Sequence, residues 1–271
     1  MLILDRTQIS DLLDLDELID SLARTMVDLS EGRTSVPPRG AAQVPNRDST
    51  LFVMPGFVPS VRMLLAKLVT LFPGNAGTAL PTHQAIILAF DPDTGEPAAL
   101  LDGTAITAIR TGACSALSAR LLARPDAAVL AILGTGTQAR SHAWAMCRIR
   151  LIRQIRIAGR DLGRARQLAA ELGSELTTIA DALVCVDSRS ATLAPFPSGS
   201  NDLLEPIRDG VITAEYVHAE LGQLLTGALP GRTTPEQITL YKSVGVAEED
   251  AAIGRVLAAA RNRGLGTHID L

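Results

Sequence analysis

Lys67 lies among apolar neighbours in Met63-Leu-Leu-Ala-Lys-Leu-Val-Thr70. A lysine in such a strand either snorkels from a sheet edge or points into a site. Burial lowers a lysine's pKa, which makes the amine useful as an acid or base near neutrality. Arg110 sits in Ala105-Ile-Thr-Ala-Ile-Arg-Thr-Gly-Ala113. An arginine among small and apolar residues needs an anionic partner. A substrate carboxylate held bidentately is one candidate, and a structural Asp or Glu is the other. Arg39 follows two prolines. It is either a second carboxylate clamp or an exposed loop residue.

A second group of residues would bind rather than react. Ala127 to Leu133 is an unbroken apolar run that ends in Gly134. A run that short suits a strand buried on both faces. Gly134, Gly136 and Ala139 then match G-x-G-x-x-G/A. The first glycine permits a tight turn and the second admits a pyrophosphate to the backbone. The third small residue lets the next helix sit close to the strand. The alternative is an ordinary strand-to-helix turn. Further on, Arg160 and Asp161 close the next strand. An arginine there accommodates the 2′-phosphate of NADP, while an acid binds the ribose of NAD. The strand end itself holds Ala158-Gly159, so the pattern leans to NADP(H).

Other chemistries find little support. His83, His142, His218 and His268 are scattered, with no i, i+4 pair, so no metal site is expected. There is no G-x-S-x-G elbow. Net charge is −4, with no basic stripe, which argues against nucleic acid or an anionic membrane as partner. Cys114, Cys147 and Cys185 are widely spaced and read as reduced cysteines of a cytoplasmic protein. Asp5, Arg6, Asp11 and Asp14 near the start argue against a signal peptide. No apolar run approaches the ~20 residues of a membrane span.

The elements that must position these residues follow from periodicity. Leu15, Leu18, Ile19, Leu22, Met26 and Leu29 fall on one stripe and predict a helix from Asp14 to Glu31. Residues 34–47 read as Pro-rich and extended. Three β-like runs follow, Thr50–Met54, Met63–Phe72 and Gln84–Phe90. A turn at Asp91–Pro97 joins the last of these to Ala98–Leu101 as a hairpin. Thr104 to Ala123 reads as helical, ended by Pro125. Residues up to about 123 thus form an α+β unit with an antiparallel sheet. From Asp126 the chain alternates: strand Val129–Leu133, helix Gln138–Leu151, strand Gln154–Ala158, helix Leu162–Leu172, strand Ala182–Asp187. This predicts a βαβαβ half of a dinucleotide domain. Residues 188–202 read as a loop, Tyr216–Thr226 as a helix, Ile238–Lys242 as a strand and Glu248–Arg263 as a closing helix.

The chain resembles the ornithine cyclodeaminase/mu-crystallin family. The resemblance runs through Lys67, Thr82-His-Gln-Ala85, Asp91-Pro-Asp-Thr-Gly95, Ile106-Thr-Ala-Ile-Arg-Thr-Gly-Ala113 and Leu121-Leu-Ala-Arg-Pro125. It continues in Ile132-Leu-Gly-Thr-Gly-Thr-Gln-Ala139, Ala219-Glu-Leu-Gly222, Pro230-Gly-Arg232, Ile238–Gly245 and Glu249-Asp250. It implies an α/β protein with a Rossmann NAD(P)-binding domain over 124–245. An α+β substrate and dimerisation domain over 1–123 would be completed by the helix at 246–271.

By that resemblance Lys67 is the catalytic lysine, and Arg110 and Arg39 bind the substrate carboxylate in a pocket lined by Thr82. Thr111 and the turn Gly134, Gly136, Thr137, Gln138 and Ala139 would hold cofactor phosphates, and Val244 would lie near the nicotinamide. The implied chemistry is NAD(P)-linked, at the Cα–N bond of a small amino acid or cyclic imine, in a homodimer. The alternative is a non-catalytic NADP(H)- and small-ligand-binding protein. In one place the chain departs from the family. Ala180-Asp-Ala-Leu183 passes straight into Val184-Cys-Val-Asp-Ser-Arg189. A segment is missing near 183–184, and with it a Gly-Ala-Asp-x-Pro motif whose aspartate serves the family's lysine as acid/base partner. An omission from the sequence, a true deletion with lost catalysis, and a specialised short variant all stay open.

Overall fold

The stripe of Leu15, Leu18, Ile19, Leu22 and Met26 is buried along one side of a helix, α2 (Leu15–Ser30), which follows a short helix, α1 (Arg6–Leu12). Asp14 caps it by accepting from the Glu17 amide, and Gly32 just beyond its end takes a positive φ. The structure is a computed structural model and describes residues 1–159, 161–172, 183–195, 198–210, 212–235 and 237–269. The chain divides into two compact units, residues 1–107 with 246–271, and residues 108–245.

The first unit is built on a seven-stranded sheet. Its strands are β1 (Leu2–Leu4), β2 (Gly40–Val44), β3 (Ser49–Val58), β4 (Met63–Leu71), β5 (His83–Phe90), β6 (Pro97–Asp102) and β12 (Thr267–His268), in the order β12-β1-β6-β5-β4-β3-β2. β2 to β6 pair antiparallel, as the hairpin at Asp91–Pro97 predicts. β1 is the exception and joins β6 in parallel. The extended stretch at 34–47 contributes β2. β4 alternates buried and half-buried residues, so Met63, Leu65, Lys67 and Val69 share the inner face. Two helices close the unit from the far end of the chain. The single helix expected over 248–263 is two, α9 (Ala247–Ala251) and α10 (Gly254–Arg263). α9 packs on β3, β4 and α2. The core joins Leu4, Ile9, Val58, Leu65, Ile87, Leu101 and Ile106 to Ala247, Ile253, Val256 and Leu257.

Helix α3 (Gly103–Leu122) begins in the first unit and continues into the second. The second unit opens as expected. β7 (Val129–Leu133) leads through α4 (Thr137–Ile149) to β8 (Gln154–Ala158), which pairs with it in parallel. Helix α5 (Leu162–Leu172) follows. Ile132, Ala139, Ala143, Ile155, Ile157, Ala165 and Leu168 form its core.

The third strand does not continue this sheet, which corrects the βαβαβ expectation. β9 (Leu183–Val186) pairs instead with β10 (Val217–Glu220) and β11 (Thr239–Lys242), both parallel. With both edges of β9 taken, it has no free edge to offer β7. Among the described residues β7 pairs only with β8. Two loop and helix expectations are also corrected. Residues 188–202 hold α6 (Arg189–Thr192) and the start of α7 (Asn201–Arg208), because Ser188 caps the first. Tyr216–Thr226 is the strand β10 followed by a short helix, α8 (Leu221–Leu225). Glu220 forms a capping box with Gln223 and starts that helix late.

Candidate active site

Lys67 is buried, with 2% of its surface exposed, so it does not snorkel from an edge. Its Nζ donates to Asp250 Oδ1 at 3.0 Å, to Asp250 Oδ2 at 3.2 Å and to Thr107 Oγ1 at 2.6 Å. The Thr107 hydroxyl in turn donates to the Gly103 carbonyl at 2.6 Å. Asp250 is fully buried on α9. Lys67 faces Met54 on β3 and Ile87 on β5 across the sheet. Directly opposed residues share a face, so Phe52 and Met54 lie on the Lys67 side. The Arg39 guanidinium stands over the Phe52 ring, 5.7 Å from its centroid. Arg39 is half-buried there rather than a free loop side chain. Thr82 is exposed just before β5, and its carbonyl accepts from the Phe72 amide. Its side chain is thus outside the buried Lys67 cluster.

In the second unit Arg110 is buried on α3. Its guanidinium rests on the backbone of Gly245, where an added Cβ would stand 2.7 Å from Nη2. Gly245 has φ +79°, a conformation that favours glycine. The Asp187 carboxylate fixes this strap. It accepts from the Ser243 hydroxyl at 2.9 Å and from the Val244 and Gly245 amides at 3.0 and 2.9 Å. Its other oxygen accepts from the Ser188 amide and the Thr192 hydroxyl. The structure therefore brings Arg110 and Val244 to one strap, through a buried aspartate that sequence patterns did not single out. Beside them Cys114 lies 3.2 Å from the Tyr241 hydroxyl. Burial pushes the Cys114 thiol up to about 12 and the Tyr241 phenol well above its usual value, so both stay neutral. Thr111 is half-buried on α3 next to Arg110.

The glycine turn is built as its spacing predicts. Gly134 takes φ +118° and its amide donates to the Ala158 carbonyl at 2.7 Å. Gly136 is the N-cap of α4, Thr137 is its first residue, and Ala139 is buried against the sheet. Gln138 accepts at its carbonyl from His142 Nδ1, whose ring also meets the Ser115 hydroxyl. An open groove of ≈ 770 Å³ is lined by Leu133, Gly134, Thr135, Ala158, Asp161 and Arg164. Gly159 lines it too, and an added Cβ there would stand 2.9 Å from Thr135 Cγ2. Asp161 is exposed in this groove and accepts from the Arg164 amide at 3.0 Å, which caps α5. Arg160 lies outside the described residues.

The residues present fit a dinucleotide. Neither Gly134 nor Gly136 has any atom within 4 Å of where a Cβ would stand, so a phosphate can approach the backbone. No cluster among the described residues has the make-up of a metal site.

A model of the ornithine cyclodeaminase/mu-crystallin family matches residues 1–193 and 197–262. The chain belongs to this family. Among its relatives is a Delta(1)-pyrroline-2-carboxylate reductase of Bacillus cereus, 29% identical over 324 aligned positions that take in all of both chains. The alignment is thus longer than the 271 residues here, so part of the relative faces no residue of this chain. The ketimine reductase mu-crystallin of Mus musculus is 28% identical over 84% of this chain and 85% of its own. The solved Thermococcus litoralis Delta(1)-pyrroline-2-carboxylate reductase, in complex with NADH and L-proline, superposes with a TM-score of 0.90. It is 29% identical and covers 99% of this chain and 100% of its own. The fold is the α/β fold of these family members.

Proposed function

We propose that the protein is an NAD(P)H-dependent imine reductase of small cyclic α-imino acids, run in reverse as an amino-acid dehydrogenase. The observation that carries this is the buried Lys67, an amine held in place inside a family member whose relatives reduce such imines. A reduced nicotinamide, when bound, supplies a hydride to the imine carbon. Gly134, Gly136 and the first amides of α4 would hold its pyrophosphate. Arg110 and Arg39 would fix the substrate carboxylate by charge-assisted hydrogen bonds. Thr111 and Val244 are assigned to the cofactor, and Thr82 to the rim of the substrate pocket. Lys67 would deliver the proton that the imine nitrogen needs.

Lys67→Ala is expected to abolish oxidation of NAD(P)H by Δ1-pyrroline-2-carboxylate, followed by nicotinamide absorbance, and to leave nucleotide binding intact. Undiminished turnover would remove Lys67 from the mechanism. For the nucleotide, Arg160 and Arg164 favour a 2′-phosphate and Asp161 a free ribose. NADP(H) is the proposed preference. Fluorescence titration checks it, and tighter NADH binding would reverse it. A homodimer in the cytoplasm is part of the same proposal. The cysteines are free, which fits a reducing compartment, and light scattering after gel filtration reads the assembly.

A second reading is a nucleotide- and ligand-binding protein without turnover. The observation that favours it is β7, paired on one side only among the described residues, with Leu133 75% exposed. NADPH binding without reduction of any cyclic imine would select it.

A further inference from the structure

We propose that Asp250 is the positioning residue that keeps Lys67 a charged, oriented proton donor. The proposal rests on the imine-reductase reading for its kinetic part and on geometry alone for the rest. Two of the chain's 25 basic residues are lysines, Lys67 and Lys242. All others are arginines, which do not give up a proton in proteins. One of the two positions that keep an exchangeable amine is thus the buried one. Burial by itself would discharge that amine, and a neutral amine has no proton to spare for a substrate.

The surroundings oppose this. Both oxygens of the buried Asp250 carboxylate lie within 3.2 Å of Nζ. Thr107 donates its own hydroxyl proton to Gly103, so its oxygen can only accept from Lys67. Two acceptors on separate elements, α9 and α3, fix the direction of the ammonium. α9 itself packs on β3, β4 and α2, which places the carboxylate beside the lysine. Glu248, two residues before Asp250, accepts from the Thr34 hydroxyl.

In the reductive direction the imine carbon gains a hydride from the reduced nicotinamide, which is thereby oxidised. The imine C=N becomes CH–NH as its nitrogen takes a proton from Lys67 Nζ. Lys67 is left as a neutral amine and regains its proton from water. In this step Asp250 neither gains nor loses a proton; its two oxygens accept from Lys67 Nζ. Its part is to favour the charged amine before and after each turnover.

The test reads lysine ammonium groups directly by nitrogen-15 NMR, which two lysines make assignable. Lys67 should show a protected ammonium signal near neutral pH in the wild type and in Asp250→Glu, and lose it in Asp250→Asn. The Lys242 signal should not change. In turnover, Asp250→Glu should lower kcat about 10- to 100-fold. KM and the NADPH Kd should stay within about twofold, and the solvent deuterium effect on kcat should rise, since proton delivery becomes slower. A misfolded variant would weaken both binding constants instead. If Asp250→Asn does not fold, Asp250→Glu carries the comparison. An Asp250→Asn ammonium signal equal to wild type, or an Asp250→Glu kcat equal to wild type, overturns the proposal. An Asp250-dependent ammonium in a protein that reduces no imine would sustain the pairing and defeat the imine-reductase reading.

Discussion

Gly245 shows how one absent side chain can shape a charged site. Arg110 Nη2 stands 2.7 Å from where a Cβ on Gly245 would be, and the φ of +79° there suits glycine. Gly245→Ala therefore meets both backbone strain and a clash. The strain alone costs about 1–2 kcal/mol. If Arg110 holds the substrate carboxylate, the displaced guanidinium should raise KM about tenfold with a smaller change in kcat. Steady-state kinetics on the folded variant check this, and an unchanged KM would take the carboxylate role from Arg110. The same scale explains Lys67. Asp250 and Thr107 are 183 and 40 residues away from it in sequence. Periodicity marks a lysine in a strand and says nothing of such partners.

At the scale of elements, turns and caps decide more than propensity. The turn after α2 is tied to the sheet by Asp28, whose carboxylate accepts from the Ser60 amide at 2.9 Å and from Arg33 at 2.9 and 2.7 Å. Burial would raise the Asp28 carboxyl, but the Ser60 and Arg33 hydrogen bonds outweigh it and hold it below the usual aspartate value. A depressed value means that Asp28 stabilises the fold above the ordinary carboxylate range and loses that contribution as pH falls through its folded pKa. Between about pH 5 and about pH 3 the wild type should lose stability more steeply than Asp28→Asn. The variant should be weaker by about 1–3 kcal/mol at neutral pH. Urea unfolding at a series of pH values measures both, and parallel curves would remove Asp28 as a contributor. Caps also account for the misread elements. Ser188 starts α6 within an expected loop, and the Glu220–Gln223 box divides an expected helix into β10 and α8.

On the scale of the whole molecule, each unit carries its own core, and the first is closed by residues 246–271 returning to its sheet. Among the described residues the second contains two separate sheets. β7 is apolar throughout, as befits a strand covered on both sides, yet Val129 is 51% exposed. Among the described residues β7 is paired on one side only, and an open apolar edge recruits other chains. Leu133→Lys should therefore reduce self-association at raised protein concentration, read by light scattering, without loss of the glycine-turn geometry. Equal scattering from both proteins would show that this edge is covered in solution.

The sequence by itself determined the local chemistry. G-x-G-x-x-A after an apolar run is a purely local device, and Gly134, Gly136 and Ala139 took up the places that spacing assigns them. The same holds for α2 and for the β5–β6 hairpin, where short-range periodicity and a turn suffice. The family was legible too, since its motifs are short and ordered along the chain. Tertiary structure decided what depends on contacts between distant residues. It decided that Lys67 is buried against Asp250, that Asp187 fixes the strap under Arg110, and that β9 joins β10 and β11 rather than β7 and β8. Strand order and ion pairing are fixed by which edges and charges remain free once the chain has folded. That competition is between residues far apart in sequence, so no local window contains it.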